Sequence, residues 1–96
     1  MATDTIDVAE RVVTIQNARG LHARAATKLV HLTSKFPCEI TLGKDGHEIN
    51  GKSIMGVLML AAGKGTTVVV RCTGDRAAEA LAAIVALIDD KFGEGV

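Results

Sequence analysis

His22 and Arg24, separated by one residue, hold most of the chemistry this sequence offers. They stand in Gly20-Leu-His-Ala-Arg-Ala-Ala-Thr27, where a turn gives way to helical spacing. No Ser, Thr, Asp or Asn occupies the obvious cap position of that helix, so its first amides lack the usual side-chain acceptor. Amides at the positive end of a helix dipole suit an anion, and a phosphate group in particular. Arg24 can add a guanidinium whose fork of donors matches phosphate geometry. Gly20 permits a sharp backbone approach to the helix. A neutral imidazole is a good nucleophile near neutral pH, and the surrounding donors would stabilise a phosphoryl group arriving on His22. A histidine near a helix end also has an ordinary reading, as a surface or hydrogen-bonded structural residue.

Ser53 is the second residue of interest. It precedes the short apolar run Ile54-Met-Gly-Val-Leu-Met-Leu60 and is placed to cap a helix there. That structural role is compatible with modification, because a helix N-terminus accommodates a phosphate well. The remaining candidates carry less. His31, His47, Cys38 and Cys72 make no recognisable metal-ligand spacing. In Gly63-Lys-Gly-Thr66 the spacing is wrong for a phosphate-binding loop, and a turn accounts for it.

The elements that must position these residues follow from periodicity. Residues 10–15 mix β-branched and polar types and read as a first strand. A helix begins at Ala23, with Ala26, Leu29, Val30 and Thr33 on one face, and ends near Lys35 because Pro37 follows. Residues 38–42 and 47–50 flank Asp45-Gly46, a strong hairpin signal. The short helix behind Ser53 comes next, then a strand over residues 66–73. A last helix spans residues 75–92, with Asp75 as its expected N-cap and Leu81, Ile84, Val85 and Ile88 as its apolar stripe. The order β-α-β-β-α-β-α predicts an α+β open-faced sandwich, a four-stranded antiparallel sheet with three helices on one face.

The chain has 96 residues, so a single domain over 1–96 is expected, with residues 1–9 as a flexible leader. A domain this small leaves little room for a deep pocket, so chemistry is expected at the surface. Lys plus Arg number 11 and Asp plus Glu number 11, and there is no Trp or Tyr. That balance argues against nucleic-acid binding, including by a small RNA-binding sandwich of similar layering. Two cysteines, no signal peptide and no long apolar stretch lead to the expectation of a cytoplasmic protein without membrane insertion.

The segment around His22 resembles the active-site signature of the HPr family, the phosphocarriers of the bacterial phosphoenolpyruvate-dependent phosphotransferase system. Gly51-Lys-Ser-Ile-Met-Gly-Val-Leu-Met-Leu60 resembles that family's regulatory-serine motif, in the same register and element order. The resemblance implies that His22 is phosphorylated on Nδ1 by Enzyme I and passes the group to an EIIA-type protein. It implies that Arg24, with the amides of Ala23 and Arg24 and the turn at Gly20, steadies the phosphoryl group. HPr kinase is implied as a modifier of Ser53, and Ile54, Met55 and Leu58 as exposed docking residues. No cofactor or metal is expected, and a monomer is. The family often has proline where Ala25 stands. Asn17 and the Ala25-Ala26 pair lean toward the nitrogen-related branch, while the Ser53 segment leans toward HPr proper, and both branches stay open. An HPr-like regulatory module that binds proteins without relaying phosphate is the alternative.

Overall fold

The computed structural model describes residues 7–96. Four strands, Val8–Thr14 (β1), Glu39–Lys44 (β2), His47–Asn50 (β3) and Thr67–Thr73 (β4), form one antiparallel sheet in the order β1-β4-β2-β3. Three α-helices, Ala23–Thr33 (α1), Ile54–Leu60 (α2) and Ala77–Asp89 (α3), and a 3-10 turn at Lys91–Gly93 complete the chain. Alternate strand residues Val13, Ile40, Leu42, Val68, Val70 and Cys72 are buried on one face. Leu29 of α1, Val57 and Leu60 of α2, and Ala80, Ile84 and Ile88 of α3 share that core. The two-residue periodicity of the strands and the three-to-four spacing of the helices thus meet in one apolar layer. Among the described residues no helix is long and apolar enough to cross a membrane.

Several boundaries depart from the sequence reading. β1 starts at Val8, because Val8 pairs with Thr73 and Ala9 with Cys72 along the full length of β4. Those two residues are therefore not part of a flexible leader, and residues 1–6 lie outside the described residues. The hairpin forms as expected, with Asp45 (φ 50°) and Gly46 (φ 81°) both left-handed, the geometry that matches the twist of paired strands. The α3 cap differs. Gly74 (φ 118°) and Arg76 (φ 63°) turn the chain sharply after β4, so the helix begins at Ala77 with Arg76 as N-cap. Among the described residues Asp75 makes no capping hydrogen bond to α3; the Arg76 guanidinium bonds Glu79 at 3.0 Å and lies 5.1 Å from the centre of the Phe36 ring. At its other end α3 stops at Asp89 rather than reaching Phe92, because Lys91 and Phe92 turn left-handed. The stripe holds at Ile84, Val85 and Ile88, while Leu81 is only partly buried.

Cys38 and Cys72 are both free and buried. Burial, and then the neighbouring Cys38, push the Cys72 thiol up from 9.0 to about 11. Between those values the folded chain holds a proton that the unfolded chain has released, so stability falls as pH rises through that window. The slope is at most about 1.4 kcal/mol per pH unit. Urea midpoints measured at pH 8 and pH 10 should show the loss, and a Cys72→Ala variant should show less of it.

Candidate functional site

His22 is itself the N-cap of α1, with φ −77° and ψ −178°. Its Nδ1 accepts the Arg24 backbone N–H at 3.3 Å, so the imidazole takes the acceptor role that no Ser, Thr, Asp or Asn is present to fill. The Ala23 N–H, nearer the turn, meets no acceptor among the described residues. Three features hold the histidine there. α1 buries Ala25, Ala26, Leu29 and Thr33 against the core. Leu21 is buried and its N–H donates to Ala62 O at 2.9 Å, tying the turn to the end of α2. Gly20, at φ 66°, lies so close to this strand of backbone that a Cβ would sit 2.5 Å from Ala62 O.

The other ring nitrogen has a partner that the sequence reading missed. Nε2 of His22 lies 2.5 Å from Oε2 of Glu94, and the Asn17 side-chain amide donates to Oε1 of the same carboxylate at 2.9 Å. Asn17 is fully buried, and its second amide hydrogen goes to Gly20 O at 2.8 Å. Hydrogen bonds from Asn17 and then His22 hold the Glu94 carboxyl below its ordinary range, so it is ionised at neutral pH. A carboxylate only accepts, so Nε2 carries the proton; a backbone N–H only donates, so Nδ1 carries the lone pair. One tautomer of neutral histidine satisfies both contacts.

Cations surround this arrangement. Arg19, Arg24 and Lys28 line the same shallow cleft as His22 and Glu94. Lys28 is spent on Phe92 O at 2.6 Å, whereas the Arg24 guanidinium makes no hydrogen bond or ion pair among the described residues. Glu94 had no sequence signal. It lies between two glycines past the last helical stripe, and its contact with His22 spans 72 residues of chain.

Ser53 caps α2 as expected, its Oγ accepting from the Gly56 N–H at 3.0 Å. The loop before it is tied to α1, because the Thr33 hydroxyl donates to Gly51 O at 2.7 Å. Of the α2 residues, Ile54, Met55, Leu58 and Met59 are exposed, Met55 to 67% and Met59 to 74%. Val57 and Leu60 supply the buried side, so the three residues expected to dock are exposed, and Met59 with them. Ser53→Ala is expected to lower stability by about 1 kcal/mol, the worth of one N-cap, measurable as a shift in the urea midpoint. His31 is exposed on α1, and His47 is exposed at the start of β3.

The geometry has counterparts among known proteins. A family model described as "PTS HPr component phosphorylation site" matches residues 9–90. A phosphocarrier protein HPr of Cupriavidus necator is 46% identical over 86 residues, covering 90% of this chain and 97% of that relative. A phosphocarrier protein NPr of Shewanella violacea is 49% identical over 85 residues, covering 88% of this chain and 93% of its own. A crystal structure of HPr-C-His from Thermoanaerobacter tengcongensis superposes with a TM-score of 0.89 at 42% identity, covering 92% of this chain and 99% of that one.

Proposed function

Given that the chain belongs to the HPr family of phosphotransferase-system phosphocarriers, we propose that it relays a phosphoryl group through Nδ1 of His22. The observation that carries this reading is the fixed tautomer: Nε2 is engaged by Glu94, and the Nδ1 lone pair stands beside the first amides of α1. The lone pair forms a bond to phosphorus as the donor's own P–N bond breaks, and the electron pair returns to the donor nitrogen. The Arg24 amide then turns from the ring nitrogen to the new phosphoryl oxygens, with the Ala23 amide beside it. The Arg24 guanidinium supplies charge to the same oxygens. Transfer onward reverses these events at the acceptor. Enzyme I is the donor and an EIIA-type protein the acceptor, as the family's chemistry implies.

The exposed Ile54, Met55, Leu58 and Met59 form the docking face, and the backbone just after α2 is bonded to Leu21, the residue before His22. Adaptable methionine side chains suit a face that meets several partners. Phosphorylation of Ser53 by HPr kinase would set roughly −1.5 to −2 charges beside that face and weaken Enzyme I docking.

Intact-mass spectrometry after incubation with phosphoenolpyruvate and Enzyme I tests the relay. One acid-labile phosphoryl adduct is the expected result. No adduct, with the Cupriavidus necator HPr labelled in parallel, would overturn the relay in favour of a partner-binding module. In a second arm with HPr kinase and ATP, an acid-stable adduct on Ser53 is expected, and an unmodified chain removes the regulatory role.

A further inference from the structure

The tail beyond α3 is folded at evident conformational cost. Lys91 (φ 56°) and Phe92 (φ 54°) are consecutive non-glycine residues in the left-handed region, which L-residues seldom occupy singly. Such strain persists only where the surroundings over-determine it. Here Phe92 is fully buried, Lys28 Nζ donates to Phe92 O, and the Ala18 N–H donates to Val96 O at 3.0 Å. The outcome of all this anchoring is one carboxylate returned to the start of α1.

Asn17 shows the same purpose from the other side. Both hydrogens of its buried amide are committed, one to Gly20 O and one to Glu94, and this leaves its Oδ1 buried without a partner among the described residues. Both neighbours are acceptors, so flipping the amide would lose two hydrogen bonds. A buried unsatisfied oxygen is costly, and such groups concentrate where function requires them. The orphaned oxygen is a consequence of aiming the amide at Glu94.

Resting on the reading of His22 as phosphoryl acceptor, we propose that Glu94 is a positioning residue for the transfer. Its carboxylate keeps the proton on Nε2 and repels phosphate from that nitrogen, so that phosphorylation is confined to Nδ1. When the Nδ1–P bond forms, the ring keeps its Nε2 proton and becomes cationic. Glu94 faces that delocalised charge across a short hydrogen bond. When the bond breaks, the electron pair returns to Nδ1 and the ring is neutral again, with no proton moved. The tail thus prepares the nucleophile before any partner arrives and need not rearrange during transfer.

Potassium phosphoramidate tests this without Enzyme I, because a ring nitrogen attacks phosphorus directly and ammonia leaves. ³¹P NMR of the full chain is expected to show the Nδ1 isomer alone for the wild type. Glu94→Ala is expected to yield the Nε2 isomer in comparable amount. Proton–nitrogen spectra should show a downfield, slowly exchanging Nε2–H signal that vanishes in Glu94→Ala while the sheet amides stay in place. A merely structural tail would move neither readout. The same isomer from both chains, with no protected Nε2–H in the wild type, would overturn the proposal. Labelling by Enzyme I is expected to slow about tenfold in Glu94→Ala. If Enzyme I labels neither chain while phosphoramidate separates them, the relay fails and the role of Glu94 stands; equal labelling with equal isomers gives the reverse.

Discussion

His22→Ala is expected to remove phosphoryl labelling entirely, leaving the intact mass unchanged after incubation with phosphoenolpyruvate and Enzyme I. On the proposed relay the loss is total, because the side chain supplies the atom that bonds phosphorus. Nothing nearby can replace it. Arg24 and Lys28 offer the group hydrogen-bond donors rather than a nucleophilic lone pair, and the ionised Glu94 repels the group being transferred. Stability should change little by comparison. The imidazole is a partly exposed cap at the edge of the fold, and losing a cap costs about 1 kcal/mol. Amide spectra of the variant should therefore overlay those of the wild type except around residues 17–24 and 92–96. A persistent acid-labile adduct on the variant would place the acceptor elsewhere.

Gly20→Ala is expected to damage stability and transfer together. At φ 66° any L-residue is strained, by roughly 1–2 kcal/mol. Here the strain is compounded by contact: the added Cβ would stand 2.5 Å from Ala62 O and 2.7 Å from Gly63 Cα, both backbone atoms with no rotamer to adopt. To relieve it the turn must move away from the end of α2, breaking the bond from Leu21 N–H to Ala62 O and the bond from Asn17 to Gly20 O. About 3 kcal/mol or more is the combined expectation. The same movement displaces His22 from Glu94 and from the docking face. Denaturant unfolding should give the stability loss, and labelling by Enzyme I should fall by at least tenfold even where the variant remains folded. A Gly20→Ala chain with wild-type midpoint and labelling rate would show that this close approach does not position the site. Gly46 is a useful contrast, because its left-handed turn is open and a Cβ there meets nothing within 4 Å. Its alanine variant should carry only the conformational cost.

What depends on neighbours along the chain was legible in the order of residues alone. Periodicity specified every strand and helix and their order, the hairpin followed from Asp45-Gly46, and Ser53 was legible as a cap because capping reaches only three residues. The motif around His22, with Arg24 two residues on, was legible for the same reason. Ends that depend on backbone hand were not. Arg76, Lys91 and Phe92 adopt left-handed angles that their residue types disfavour, and packing around Phe92 and Phe36 compensates. The faces of α2 also waited on the fold. A run of Ile54, Met55, Val57, Leu58, Met59 and Leu60 is apolar all round, and only the neighbouring layers choose Val57 and Leu60 as the buried pair. Above all, tertiary structure decided the state of the His22 ring. Sequence supplies an imidazole with two equivalent-looking nitrogens. A buried asparagine five residues before it and a carboxylate 72 residues after it make one nitrogen a donor and leave the other an acceptor, because a hydrogen bond depends on distance in space rather than along the chain.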